Sequence, residues 1–254
     1  NQKTVNTMAR FSANLGFLWA NLTLSDAIRA AAQAGFDAVE CHQPYDTPSF
    51  EIKAVLEQTG LPMLGLNTVG GEDGFGVAAV PGMEELARSE IEQAVDYAAV
   101  TGTSHVHVLA GRSAGDGAAR QTYVDNLSFA AKLADSAGIG LVIEPLNHRD
   151  APDYFLNGVE QAIAIIQDVG APNLHLMFDC YHVQIMQGDL VRRLEACLPY
   201  IGHIQFASVP DRHEPDEGEV SYERLIPFID RLGYQGFIGA EYQPRRGTEE
   251  GLGW

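Results

Sequence analysis

The chain repeats one pattern throughout its length, a short apolar run followed by a longer amphipathic run. The pattern occurs eight times within 254 residues, and no linker or low-complexity stretch interrupts it. Short apolar runs are typical of buried strands, and longer runs with apolar residues three and four positions apart are typical of helices. The strand-like runs are residues 11–14, 38–41, 63–67, 105–110, 141–143, 174–178, 201–206 and 237–242.

The amphipathic runs predict helices, and most of them end at a glycine. Glycine is favoured just past a helix because it adopts positive φ without strain. The predicted helices are residues 24–34, 50–59, 83–100, 121–137, 158–169, 190–198 and 222–232, and the terminating glycines are Gly35, Gly60, Gly102, Gly138, Gly170 and Gly233.

Eight strand–helix repeats in about 250 residues predict an α/β fold, a single (β/α)₈ TIM barrel that spans residues 8–254. The alternative is an open, doubly wound sheet. Such a sheet normally carries a glycine fingerprint in its first strand–helix turn, which residues 14–19 lack. Residues 1–7 are polar and without an apolar segment, so we interpret them as an upstream extension or a cloning remnant and expect no signal peptide.

Charge and cysteine content exclude several classes of function. The chain has 34 acidic and 16 basic residues and a net charge of −18, which argues against binding to nucleic acid or to anionic membranes. No apolar run approaches the ~18 residues of a membrane span. Cys41, Cys180 and Cys197 are too sparse for a disulfide framework or structural zinc. We therefore expect a cytoplasmic protein with a small-molecule substrate, and leave assembly into a homo-oligomer open.

Four oxygen-donor side chains fall on the last four predicted strands. Glu144, Asp179 and Glu241 lie at strand ends, and Gln205 lies within strand seven. The carboxyl ends of barrel strands converge on one face, where active sites lie. Three carboxylates there repel one another unless a cation neutralises them, and oxygen donors suit Mg²⁺ or Mn²⁺. The pattern predicts a divalent metal site.

Other residues are candidates for substrate contact near the same face. His182 follows Asp179 by three residues, His107 ends the alternating pair on strand four, and Arg212 follows strand seven in a charged loop. His203 is interpreted as a hydrogen-bonded core histidine. The glycine-rich loop at residues 70–76 lacks the Lys-Ser/Thr of a phosphate loop, so we expect a mobile lid there.

Several motifs together resemble the hydroxypyruvate isomerase family, within the xylose-isomerase-like barrels. They include RFSAN at 10–14, IEPLNH at 143–148, FDCYHVQ at 178–184, GHIQ at 202–205, GAEYQP at 239–244 and TEEGLGW at 248–254. The resemblance implies that Glu144 and Glu241 are the catalytic acid/base pair and that Glu144, Asp179, Gln205 and Glu241 bind the metal. It also implies isomerisation of hydroxypyruvate to 2-hydroxy-3-oxopropanoate (tartronate semialdehyde) by proton transfer through an enediolate.

Two loops depart from the family pattern and leave other substrates open. Residues 70–77 lack the arginine that the family usually carries there, and Val209 stands where the family often has asparagine. A 2-oxotetronate isomerase or a ketose 3-epimerase would use the same metal and glutamates. The net charge disfavours a metal-dependent nuclease on the same barrel, and the presence of Glu144 and Glu241 disfavours a catalytically silent binding protein.

Overall fold

Eight parallel strands form the inner layer of the protein in the computed structural model, which describes residues 9–254. The extension predicted at residues 1–7 lies outside the described residues. The strands are β1 (Phe11–Asn14), β2 (Ala38–Glu40), β3 (Gly65–Asn67), β4 (His105–His107), β5 (Gly140–Ile143), β6 (Leu174–Asp179), β7 (Ile201–Phe206) and β8 (Ile238–Ala240).

The sheet closes on itself. Its hydrogen-bonded order is β2-β1-β8-β7-β6-β5-β4-β3, and the two end strands meet at a parallel bridge between Val39 and Met63. There the N–H of Val39 donates to the carbonyl of Pro62 at 3.0 Å, and the N–H of Leu64 donates to the carbonyl of Val39 at 2.8 Å. The predicted (β/α)₈ barrel is confirmed, and the open doubly wound sheet is excluded.

Helices surround the barrel, and the sequence predicted all but one of them to within a few residues. The exception is α6, a short helix that starts directly after β6 and is capped by the Asp179 carboxylate, which accepts the N–H of Tyr181 at 2.8 Å. The helices are α1 (Leu24–Ala34), α2 (Ser49–Thr59), α3 (Glu84–Thr101), α4 (Gly117–Ser136), α5 (Val159–Val169), α6 (Cys180–Met186), α7 (Leu190–Cys197) and α8 (Tyr222–Leu232).

Alternation along the strands separates an apolar outer face from a polar interior. On β7, Phe206 packs against Tyr222 of α8, whereas Gln205 and its neighbour two residues earlier face inward and contact Glu40. Glycines on the inner face make room for such side chains. A Cβ at Gly239 would lie 2.1 Å from Oε1 of Glu40. The interior of this barrel therefore holds hydrogen-bonded polar groups.

Two further expectations concern the chain as a whole. The three cysteines are buried and unpaired. Among the helices described between residues 9 and 254, none has the length and apolar character needed to cross a membrane.

Candidate active site

A cavity of about 570 Å³ opens at the carboxyl ends of the strands. Five of the side chains predicted from sequence line it, namely His107, Glu144, His182, Arg212 and Glu241. The other two, Asp179 and Gln205, are buried directly at the ends of β6 and β7, where they pair in register. The cavity lies where barrel enzymes carry their active sites.

Three buried carboxylates and one histidine converge beside this cavity. Glu144 directly follows β5, Asp179 ends β6, Glu241 directly follows β8 and His182 lies on α6. One potential ligand atom from each lies within 4.8 Å of the others. We call these four residues the strand-end cluster.

The charges in this cluster move the carboxyl pKa values in opposite directions. Burial, reinforced by the charges of Glu241 and Asp179, raises the pKa of Glu144 well above its usual range. Burial and the charge of Glu241 raise the pKa of Asp179 to about 7. Burial also acts to raise the pKa of Glu241, but Arg212 and His42 outweigh it and lower that pKa to about 2. The negative charge of the three carboxylates therefore exceeds the positive charge that the neighbouring residues supply.

Arg212 supplies the guanidinium at the centre of the site. Its Nη2 lies 2.8 Å from Oε2 of Glu241 and 3.9 Å from Oδ2 of Asp179. The guanidinium lies 4.8 Å from the ring centroids of both Phe17 and Tyr181. Among the described residues, Arg212 is the one lysine or arginine that lines the cavity. An anionic group entering the cavity would meet this cation.

The contacts at Nδ1 of His182 determine its tautomer, since they are shorter than the 3.4 Å between Nη2 of Arg212 and Nε2. The backbone N–H of Asn147 donates to Nδ1 at 3.0 Å, and the Asn147 side-chain amide lies 2.8 Å from the same atom. A nitrogen that accepts a hydrogen bond from an N–H has a free lone pair, so a neutral His182 carries its hydrogen on Nε2. Burial, helped by Arg212, holds the pKa of His182 well below its usual value. The residue therefore presents an N–H donor beside Glu144 and Asp179, at 3.7 and 3.6 Å.

His107 lies in the wall next to Glu144. Its Nδ1 is 3.7 Å from Oε2 of Glu144, and the side chain is buried. Burial lowers the pKa of His107 to about 4, so the ring is neutral near pH 7. Its Nε2 is buried and has no hydrogen-bond partner among the described residues.

Two residues that the sequence analysis missed hold Glu241 in place. The Nδ2 of Asn14 donates to Oε1 of Glu241 at 2.9 Å, and Nε2 of His42 lies 3.0 Å from the same oxygen. Gly16 makes room for the His42 ring, since a Cβ there would lie 2.2 Å from Nδ1. Asn14 ends β1 and His42 follows β2, so the strand-end rule could have found both had it been applied to the first strands.

A third missed residue, Glu40, contacts Gln205 inside the barrel. The Nε2 of Gln205 donates to Oε2 of Glu40 at 2.9 Å, and Nε2 of His203 lies 3.1 Å from the same oxygen. The Ser12 hydroxyl donates to Oε1 of Glu40 at 3.0 Å. We call these four residues the inner network. His203 is the hydrogen-bonded core histidine that the sequence predicted.

The residues fit a divalent cation. Three of the four predicted ligands keep a buried oxygen without a hydrogen-bond partner among the described residues, namely Oε1 of Glu144, Oδ2 of Asp179 and Oε1 of Gln205. Each such atom costs about 1–3 kcal/mol when nothing satisfies it. Oxygen donors at one site suit Mg²⁺ or Mn²⁺.

Comparisons with known proteins agree with this architecture. A family model for the xylose isomerase-like TIM barrel matches residues 28–254. The chain is 45% identical over 253 residues to a 2-oxo-tetronate isomerase of Cupriavidus necator, covering 97% of both chains. It is 38% identical to the hydroxypyruvate isomerase of Escherichia coli, covering 97% of this chain and 98% of the relative.

A solved structure is also similar over its full length. A crystal structure from Brucella melitensis, described as an AP endonuclease of family 2, superposes with a TM-score of 0.94 at 38% identity, covering 97% of this chain and 98% of that one. The names of the curated relatives confirm the prediction of an enzyme of the isomerase class.

Proposed function

Because the chain belongs to the xylose isomerase-like TIM barrel family, we propose that it is a metal-dependent isomerase of a short 2-oxo acid. Hydroxypyruvate, converted to 2-hydroxy-3-oxopropanoate, is the first candidate substrate. The observation that carries the proposal is the convergence of two buried glutamates, Glu144 and Glu241, with the guanidinium of Arg212 in one cavity.

Isomerisation of hydroxypyruvate requires a proton to move from C3 to C2. One glutamate removes the C3 proton, which leaves an enediolate, and the opposing glutamate returns a proton to C2. The hydroxyl hydrogen on O3 passes to O2, so the product is an aldehyde with a new C2 hydroxyl and the same atoms. Glu241 is the base in this scheme, since Arg212, His42 and Asn14 hold it ionised.

The remaining residues bind and orient the substrate. Arg212 pairs with the substrate carboxylate, and the Nε2–H of His182 donates to a substrate oxygen near the reacting carbons. His107 supports Glu144 from the wall. Glu144, Asp179, Gln205 and Glu241 would hold Mg²⁺ or Mn²⁺, which supplies the positive charge that stabilises the enediolate oxygens.

The cavity also admits a second candidate substrate. At about 570 Å³ it has room for an acid one carbon longer than hydroxypyruvate. The C. necator relative is named for 2-oxo-tetronate, which is such an acid. A neutral ketose for 3-epimerisation lacks the carboxylate that Arg212 would pair with. The Brucella structure is described as an AP endonuclease, but DNA is disfavoured as a substrate here, because its phosphates would be repelled by a chain of net charge −18 and an acidic cavity.

A substrate panel tests the proposal directly. After exhaustive chelation and reloading with Mg²⁺ or Mn²⁺, the enzyme is assayed with hydroxypyruvate, 2-oxotetronate and C5–C6 ketoses. We expect turnover of an acid, its loss on chelation and its return with either metal. In D₂O, low-conversion product should carry deuterium at C2. Full activity without metal would contradict the metal assignment, and unlabelled product would contradict the enediolate.

A further inference from the structure

We propose that Glu40 is a positioning residue that fixes the orientation of the Gln205 amide, so that Gln205 offers its oxygen and not its NH₂ to the metal. The inference rests on the proposed function, because it concerns a metal ligand of that site. Glu40 is not among the residues that line the cavity, and its effect passes through Gln205.

A glutamine amide has two ends of similar size and opposite character. The oxygen can bind a cation, whereas the NH₂ group only donates hydrogen bonds. The carboxylate of Glu40 accepts hydrogen bonds and does not donate them, and it accepts Nε2 of Gln205 at 2.9 Å. The amide oxygen is thereby turned away from Glu40. That oxygen is buried without a partner among the described residues, while Asp179 lies opposite it in register on β6.

Glu40 is held in this position from two sides. The Ser12 hydroxyl donates to Oε1, and Nε2 of His203 lies 3.1 Å from Oε2, so neither oxygen is free to turn. Glu40 is 2% exposed, so water does not compete for it. The donors come from β1 and β7, on both sides of β8.

Gly239 on β8 provides the space through which Glu40 reaches β7. A Cβ at this position would lie 2.1 Å from Oε1 of Glu40, 2.9 Å from Nε2 of His203 and 3.0 Å from Cγ of Gln205. Gly239 also pairs in register with Gln205. The absence of a side chain at Gly239 therefore leaves room for the contact between Glu40 and Gln205.

Reciprocal exchange of the two groups separates positioning from mere packing. In E40Q, the new amide can face Gln205 with either end, so Gln205 loses its single orientation. We expect Mn²⁺ affinity to fall about tenfold, as for other groups that orient metal ligands. In Q205E, two carboxylates face each other and Mn²⁺ affinity also falls. In the double variant E40Q/Q205E, the amide of residue 40 donates to the carboxylate of residue 205, and Mn²⁺ affinity returns.

Binding of Mn²⁺ alone is measured by the electron paramagnetic resonance signal of the free ion, on variants checked for folding by thermal unfolding. Glu57→Gln, the same exchange on the exposed face of α2, is the matched control and should leave Mn²⁺ affinity near that of the parent. If E40Q does not fold, E40D retains the charge but withdraws the carboxylate, and the same loss is expected.

The outcomes distinguish this inference from the proposed function. A parent protein that does not bind Mn²⁺ overturns both. A parent that binds Mn²⁺, together with folded single variants that bind it equally well, overturns the role of Glu40 alone. If Mn²⁺ affinity falls in the single variants but does not recover in E40Q/Q205E, Glu40 stabilises the barrel and does not orient the Gln205 amide. That result also overturns the inference.

Discussion

The strand-end cluster and the inner network are both made of buried polar groups, but they differ in how their hydrogen bonds are satisfied. In the inner network, each oxygen of Glu40 has a neighbour on another strand. In the strand-end cluster, Glu144 and Asp179 each keep a buried oxygen with no partner among the described residues. A saturated buried carboxylate holds structure, whereas an unsaturated one is available to a ligand.

Gln205 belongs to the inner network and adjoins the strand-end cluster, because it pairs in register with Asp179. Its nitrogen is bound within the inner network, and its oxygen is one of the unpartnered atoms. The boundary between the inner network and the proposed metal site therefore passes through one amide group. The predictions below test whether this boundary is real, from the largest expected effect to the smallest.

Glu144→Gln and Glu241→Gln should have the largest effect, because each keeps an oxygen but removes a carboxylate that we propose as general acid or base. A positioned general base contributes about 10²–10⁴-fold, so kcat should fall at least about 10²-fold in each variant. The losses should not multiply in the double variant, since both residues serve one proton transfer. Steady-state kinetics and thermal unfolding measure the effect. Glu57→Gln, on the exposed face of α2, is the control. A loss that follows destabilisation would argue against a catalytic role.

Arg212→Met should reduce kcat/KM for a 2-oxo acid about 10–100-fold, the effect of losing a charged hydrogen bond worth roughly 1.5–3 kcal/mol. Methionine keeps an apolar stem between Phe17 and Tyr181. The informative measurement is the ratio of kcat/KM for the acid to that for a neutral ketose of similar length. Arg192→Met, on exposed α7, should change neither value. An equal loss of kcat/KM for the acid and the ketose would show that Arg212 pairs only with carboxylates of the protein and not with that of the substrate.

Much of this arrangement could be predicted from the sequence, because it follows local rules. The alternation of strands and helices defined the barrel, and the strand-end positions of Glu144, Asp179 and Glu241 defined the site. The helix α6 was missed because it begins without a break after β6. Asn14 was missed because the strand-end rule was applied only to the later strands, and Glu40 was missed because its partner Gln205 lies 165 residues away in the chain. Such contacts depend on the register of the closed barrel, which a single sequence does not specify.

Gly239→Ala tests the space inside the inner network. The added Cβ would overlap Oε1 of Glu40, and overpacking of this kind destabilises a protein by about 1–3 kcal/mol. Urea unfolding gives the free energy difference, and Gly117→Ala at the start of α4, where nothing lies within 4 Å of the added Cβ, is the control. An unchanged free energy of unfolding would mean that Glu40 is not confined as described.

His105, at the start of β4, should show the smallest effect, confined to acid. Burial lowers its pKa to about 4, against about 6.5 in an unfolded chain. The unfolded state thus binds the proton first, so this contribution to stability is complete above pH 6.5 and is lost as the pH falls towards 4. His105→Gln should flatten the pH dependence of the unfolding free energy over that window, by nothing near pH 7 and by at most about 3 kcal/mol below pH 4. The exposed His148→Gln variant should retain the full dependence, and an identical slope in His105→Gln would refute the assignment.

The glycine at position 239 has a consequence for anyone who wishes to engineer this enzyme. The absence of a side chain at this glycine leaves room for Glu40, and Glu40 orients Gln205. Substitutions at positions 40, 205 and 239 are therefore interdependent. Saturation libraries that vary one of them at a time will score nearly every change as harmful. Libraries that vary all three together can reach other ligand sets, and with them other metal preferences, that are inaccessible by single steps.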